Sequence, residues 1–471
     1  MDGVRGRGRL KVPARASLWY IASSAVARSI SVVGTPIFTR LLTPAEYGVF
    51  PHYMTYFSLF SAIATLELSG SVILRGMQRF ANGRDRLVSG AVGLCGLCWA
   101  VFSLGYFGLS LAVGDISGLG GTMTAVLLVH VLFNAIISIY TARLRYEYKY
   151  RAVAAVNLAS AFLSPILAIT LISVTNAGGS ARPYAAAVSA AVIAIPFLII
   201  ILRRSGRFYD GEVWKFLLKF NLPLLPHYLS AALILRIGEV VLSRVHGSAA
   251  LAKYSVAMSV GLSLTVITNG MLSALSPWML RRVEAGEIGE SRSLLWLATR
   301  LLTLLCLLVL AVAPEMIRIV CPPEYHDALF AVYPLALSVI PTFLSNAIAS
   351  GEMYFERSAV TSVPTVISAV LCVGLTLLLI PYTDYRLTAV LLLAAYLVMC
   401  ALNCVLFRRL SGQRPLYYGR TALLLVGAVV YAGLIFLLRD SFAARVALAL
   451  PLIVLLIPVG RALYEKVKEN G

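Results

Sequence analysis

Hydrophobic positions along this chain fall in blocks. Apolar runs of about 20 residues, relieved by small polar side chains, recur from residue 16 to residue 460 and are separated by short basic segments. A run of that length, helical at roughly 1.5 Å per residue, crosses a hydrocarbon core roughly 30 Å thick. The blocks predict spans at 16–39, 50–74, 88–113, 120–142, 152–175, 183–202, 216–243, 254–280, 293–313, 328–351, 359–381, 387–407, 421–438 and 443–460. The connections are short and leave no room for a soluble domain. The expected fold is an all-α polytopic membrane protein of about 14 transmembrane helices.

Composition agrees. Of 471 residues, 59% are hydrophobic and 13% charged, whereas soluble domains run at roughly 45–50% apolar and about 25% charged. A soluble enzyme, a disordered chain and a disulfide scaffold are excluded. The net charge of +19 would suggest nucleic acid in a soluble protein. Here the 40 Lys and Arg residues sit mostly in the short loops: 29 on the side that carries the N-terminus, 8 on the other, and three (Arg28, Arg236, Arg300) inside apolar segments. That alternation follows the positive-inside rule, so both termini are expected in the cytoplasm, with the lipid bilayer and not nucleic acid as partner. The seven cysteines lie in or near apolar runs, and the Cys95-x-x-Cys98 pair has no second pair beside it, so they are expected to be packing residues. Ala25-Val26-Ala27 resembles a signal cleavage site, but the apolar run continues past Arg28 to about Phe38, too long for a signal h-region.

A weak internal repeat divides the chain. Phe38-Thr39-Arg40 with Tyr47 after span one is echoed by Leu242-Ser243-Arg244 with Tyr254 after span seven, and each preceding span carries one buried arginine, Arg28 or Arg236. Two six-helix lobes are expected, at 16–202 and 216–407. A basic N-terminus (1–15), an inter-lobe loop (203–215), two C-terminal helices (421–460) and a tail (461–471) complete the chain. Repeats of this kind mark transporters that handle cargo between two halves.

Inside a bilayer the informative side chains are ionisable ones that cannot reach water. A central arginine costs about 2.5–3.5 kcal/mol on insertion scales and persists where it faces a cavity or a partner. Arg28 and Arg236 are candidate ligands for an anion, since guanidinium binds phosphate in bidentate fashion; Arg300, near a cytoplasmic end, is a third. The alternative is structural: Arg28 could pair with Glu67, and Arg236 with Glu239 three residues along the same helix. Glu67 and Glu239 are candidate coupling carboxylates, able to carry a proton or hold sodium. Pro36, Pro223 and Pro226 interrupt the two arginine-bearing spans and are candidate hinges. The five histidines are dispersed, so a metal site is not expected. No P-loop motif is present, no acidic pair occupies the first outside loop, and no TVGYG-like filter appears.

Thr39-Arg40-Leu41-Leu42-Thr43-Pro44-Ala45-Glu46-Tyr47-Gly48 resembles the first outside loop of the bacterial polysaccharide/oligosaccharide flippases (Wzx-like), members of the MOP superfamily with the multidrug/toxin extruders and the lipid II flippase. Arg75-Gly76-Met77-Gln78-Arg79-Phe80 and Leu251-Ala252-Lys253-Tyr254-Ser255 fit that family too. The resemblance implies a MATE-like pair of lobes working by alternating access, with no enzymatic activity. Its implied cargo is an undecaprenyl-pyrophosphate-linked oligosaccharide moved from the cytoplasmic to the outer leaflet of a bacterial inner membrane. Further implied partners are the polymerase and chain-length regulator of the same pathway. No cofactor is implied beyond a proton or sodium gradient. The competing expectations are an organic-cation exporter, whose cavity should be rich in carboxylates and aromatics, and a membrane polymerase or glycosyltransferase, which needs a large outside loop or a carboxylate pair.

Overall fold

The computed structural model describes residues 34–175, 177–284, 286–352 and 362–469, with positions 19, 23, 26, 27, 29 and 30 before them. Every regular element among the described residues is helical. Eleven helices or helix pairs are long and apolar enough to cross a membrane, and a bent pair, Gly247–Gly261 with Thr265–Leu272, makes a twelfth. Of the fourteen expected spans, the first lies mostly outside the described residues. The second is split into two shorter helices.

The chain divides into two compact units, Met1–Ala232 and Leu233–Gly471. In the first, a helical stretch at 34–41 leads to α1 (Pro44–Ala64), α2 (Ser71–Arg79), α3 (Arg84–Val113), α4 (Gly121–Tyr146), α5 (Tyr150–Val174), α6 (Ala181–Arg204) and α7 (Gly211–Asn221). Its core joins Leu68, Ile73 and Met77 around α2 to Leu87 and Ala91 of α3, Ile136 of α4, Ala194 of α6, and Val213 and Leu217 of α7. Because α7 buries its apolar face there, it belongs to the first unit, and the boundary falls inside the next helix, α8 (Leu225–Val245), instead of in the loop at 203–215. That loop is stitched to α3. Ser89 Oγ donates to the Arg207 carbonyl at 2.8 Å, and Trp214 Nε1 donates to the Gly90 carbonyl at 2.9 Å. Gly93 allows the approach, since a Cβ there would sit 2.7 Å from the Phe208 carbonyl carbon.

The second unit continues with α9 (Gly247–Gly261), α10 (Thr265–Glu284), α11 (Ile288–Val320), α12 (Leu329–Glu352), α13 (Val363–Leu379), α14 (Tyr385–Ser411), α15 (Tyr418–Leu437) and α16 (Phe442–Glu469). The span containing α12 is its core, 83% buried within the protein, and α9, α10, α11 and α14 pack around it. The last two spans are peripheral, with 22% and 17% buried. Helix α16 lies along α11, and α15 leans on α11 and α12 while standing off from α14.

In both units the second span is broken. In the first, residues 65–70 form a turn in which Leu66 (φ 50°) and Glu67 (φ 49°) adopt the left-handed conformation that side chains with a Cβ disfavour. The Leu66 carbonyl freed by the break accepts from the Asn221 side-chain amide at the end of α7. In the second, the axis turns by 46° between α9 and α10.

Candidate functional site

The motif that carries the family resemblance is first of all a helix start. Thr43 is the N-cap of α1 and Pro44 occupies its first turn. The Thr43 N–H donates to Glu46 Oε2 at 3.0 Å and the Glu46 N–H to Thr43 Oγ1 at 3.4 Å, a reciprocal capping box that satisfies otherwise orphaned donors. One turn on, Tyr47 and Phe50 join Phe38 around the Arg182 guanidinium, whose carbon lies 5.0, 4.1 and 4.4 Å from the three ring centroids. Beside Arg182 is a cavity of about 200 Å³ lined also by Ala27, Gly34, Ser160 and Ser164. The local sequence thus builds a cap, and the cap sets aromatic rings around the arginine that opens α6.

Of the expected site residues in this unit, Arg28 lies outside the described residues, so its anion-binding role and its pairing with Glu67 both stand as expectations. Pro36 sits inside the helical stretch at 34–41, which runs through it. Glu67 is half-buried at the strained turn, away from any regular helix. A non-glycine residue held in that backbone region is uncommon and persists only where its surroundings hold it.

In the second unit Arg236 and Glu239 are one turn apart on α8, with Nη1 2.8 Å from Oε2. Glu239 is 3% exposed and Arg236 23%. The pair neutralises itself, so neither group is a bare charge in this conformation. Pro223 lies in a 3₁₀ turn at Leu222–Leu224 and Pro226 in the first turn of α8. The seventh span is therefore α7, the 3₁₀ turn and α8, with both prolines at the junction where the 3.6-residue ladder is interrupted. Arg300 lies on α11 over the Trp296 ring, 5.9 Å from its centroid. Among the described residues it makes no ion pair with a carboxylate. Twelve residues into a helix of 33, about 18 Å from its start, it can reach the interface by snorkelling.

Three further charged residues inside spans escaped the sequence reading. Arg445, counted among the eight basic residues of the outer loops although the span expected at 443–460 contains it, is 1% exposed on α16. It donates through Nη1 to Glu315 Oε2 and to the Ala311 carbonyl, both at 2.5 Å, and through Nη2 to Glu315 Oε1. The loop between α15 and α16 is so tight that the residue falls within the span, and α11 carries the carboxylate that neutralises it. Glu352, the last residue of α12, is wholly buried, and neither carboxylate oxygen has a hydrogen-bond partner among the described residues. The signal for both acids was present in the chain. Glu315 interrupts the apolar stretch that ends at Val320, and Glu352 follows nearly thirty residues with a single acidic pair near their start. His130, one of the dispersed histidines, is buried with Nδ1 3.1 Å from the Tyr53 hydroxyl. No group of three His, Cys, Asp or Glu side chains suited to a metal occurs among the described residues.

Two kinds of comparison place this architecture. The family model described as "Polysaccharide biosynthesis protein" matches residues 14–283, more than half of the chain. No curated protein matches. Among solved structures, an inward-facing multidrug resistance MATE transporter of the MOP superfamily superposes with a TM-score of 0.62 at 15% identity, covering 82% of this chain and 94% of that one. An outward-facing MATE transporter gives 0.59 at 15% identity, with 85% and 96% covered. A MOP-superfamily transporter from Pyrococcus furiosus, described as having a binding pocket of reversed polarity, gives 0.61 at 16% identity over the same shares. At such identities the likeness establishes the fold. Together with the span pattern, these matches identify the chain as a member of the polysaccharide biosynthesis protein family, a multi-span membrane protein with the fold of MOP-superfamily transporters.

Proposed function

We propose that the protein moves an undecaprenyl-pyrophosphate-linked oligosaccharide from the cytoplasmic to the outer leaflet of a bacterial inner membrane by alternating access. The observation that carries this reading is the family match over residues 14–283, joined to the placement of arginines within apolar spans. A pyrophosphate diester bears two negative charges, which bare lipid cannot solvate. Cationic side chains inside the spans supply what lipid lacks. In this reading Arg28, Arg236 and Arg300 contact the pyrophosphate. Arg300 does so directly, and Arg236 by exchanging Glu239 for the cargo. That exchange gives the cargo a reason to change the state of the second unit, since it breaks one ion pair to make another.

Coupling to a proton or sodium gradient would use carboxylates that do not already hold an arginine. Glu239 is occupied by Arg236; Glu352 is the better placed acid, because neither of its oxygens has a partner among the described residues, and Glu67 qualifies if Arg28 does not hold it. Pro36, Pro223 and Pro226 are the proposed hinges.

The test is mass spectrometry of the undecaprenyl-linked pool in a deletion strain, with leaflet location probed by an impermeant sugar-modifying reagent. Accumulation of a complete repeat unit on the cytoplasmic side supports the reading and names the cargo. Transport that survives neutral substitution of Arg28, Arg236 and Arg300 together would overturn the assigned roles. The second reading, an organic-cation exporter, draws on the MATE-like fold and on Glu352, which has no hydrogen-bond partner among the described residues. An unchanged lipid-linked pool with raised sensitivity to toxic cations would select it.

A further inference from the structure

Helix α15 rests on α11 and α12 and stands off from α14, leaving a seam between two spans that are neighbours in sequence. Two clefts open along it. One, of about 650 Å³, is walled by Leu397, Cys400, Cys404, Leu416, Ala422 and Leu425 and has Arg408, Arg409 and Tyr418 at its mouth. The other, of about 880 Å³, lies toward the opposite ends of the same helices, between Leu387, Val390, Val429 and Phe436, with Asp384 and Arg386 at its mouth. Helix α14 is 27 residues long, about 40 Å, so the two mouths are separated by roughly a bilayer's hydrocarbon thickness and each sits at headgroup depth. Tyr417 and Tyr418, flanked by Arg414 and Arg420 at 5.7 and 5.3 Å from a ring centroid, are an interfacial belt at the first mouth.

The rims differ in charge. At the second mouth Arg386 is paired with Asp384 at 3.3 Å, and the nearby Arg439 and Arg318 share Asp440. At the first, Arg408 and Arg409 are exposed and make no ion pair with any carboxylate among the described residues. An apolar cleft of ordinary ligand size that opens at headgroup depth under two uncompensated guanidiniums has the chemistry of an anionic phospholipid site. We propose that the α14–α15 seam is a lipid-binding site, and that its end at Arg408 and Arg409, on the side the charge asymmetry assigns to the cytoplasm, selects a phosphatidylglycerol-type anionic headgroup with an acyl chain in the cleft. The paired rim at the other end provides no such selection. The site is independent of the cargo and would stand if the transported molecule were different.

The experiment is native mass spectrometry of the full-length protein, delipidated and then titrated with phosphatidylglycerol or phosphatidylethanolamine of matched acyl chains. The wild type is expected to retain phosphatidylglycerol preferentially, and the preference to weaken as ionic strength rises. R408Q/R409Q is expected to lose it, by about fivefold for each arginine removed, while R386Q keeps it. A422F fills the cleft with the arginines left in place and is expected to lose the retained lipid as well. Elution profile and thermal midpoint establish that each variant is folded, and the salt dependence is read on the wild type alone. Equal retention of the two lipids by the wild type, an unchanged preference in R408Q/R409Q, or full retention in A422F would overturn the proposal. So would recovery of a polyprenyl pyrophosphate as the lipid held in this cleft, since that would make the seam part of the transport path.

Discussion

Arg445 and Glu315 lie 130 positions apart and tie the last span to α11. Their loss should be asymmetric. Among the described residues, Glu315→Ala leaves a guanidinium that is 1% exposed with the Ala311 carbonyl as its one hydrogen-bond partner and the Phe442 ring 5.8 Å away. Breaking a buried pair from one side costs about 3–5 kcal/mol. The Glu315 side chain is 25% exposed, so water screens part of the pair and about 2–4 kcal/mol is the reasonable range. Arg445→Met keeps the length of the side chain and leaves a carboxylate that can turn toward water; about 1–2 kcal/mol is expected. The double variant E315M/R445M, with no charge left to bury, should fall within about 1 kcal/mol of the wild type. Thermal midpoints of the purified protein in detergent should therefore rank wild type and double variant highest, then R445M, then E315A. Should R445M prove the more damaging single change, or the double variant lose as much as the two singles combined, the pair does not stabilise the structure in this way.

Other consequences can be checked on the same purified protein. Gly93→Ala pushes a methyl group against the Phe208 backbone and should cost about 1–3 kcal/mol, whereas Gly96→Ala on the same helix, where a Cβ meets nothing, should be nearly silent in a thermal melt. Thr43→Ala removes the capping box of α1 and should cost about 0.5–2 kcal/mol, with Thr43→Ser restoring most of it. The Arg86 guanidinium and the backbone N–H groups of Val213 and Glu212 hold the Asp210 carboxyl below its ordinary value. Because the folded pKa is the lower one, this contribution is complete above the unfolded value of about 4 and fades as pH falls through the folded value; a pH series of melts on Asp210→Asn should lose that acid-side dependence. Replacing Glu352 by Met removes a buried group that has no partner among the described residues and should raise the melting midpoint by the equivalent of about 1–3 kcal/mol. If Glu352 carries the coupling ion, the same variant should lose gradient-driven transport, and a variant both no more stable and fully active would refute both roles.

Several parts of the candidate site were legible in the chain. The pairing of Arg236 with Glu239 is a three-residue spacing on one helix, and the capping box of α1 spells itself out in Thr43-Pro44-Ala45-Glu46. Both are local, set by residues within one turn of each other. The partner of Arg445 was not legible, because nothing near it in sequence points to Glu315. The break at residues 65–70 was hidden for a related reason. Leu66 and Glu67 carry no mark of a left-handed turn, and the turn's freed Leu66 carbonyl is satisfied by Asn221, 155 residues away.

What the chain by itself determined is its partition: membrane residence, the approximate placing of the spans and the sign of their loops. Each span's transfer into lipid depends on its own twenty or so residues, with every backbone bond satisfied within the helix, so the pattern can be read one segment at a time. Tertiary structure alone decided which buried charges are neutralised and which are left bare. It assigned α7 to the first unit by burying Val213 and Leu217 in that core, put Arg445 against Glu315, left Glu352 without a partner among the described residues, and held α15 away from α14. These outcomes depend on which helices pack together, and between spans that are all apolar the packing is settled by shape and by scattered polar contacts, which one-dimensional periodicity does not encode.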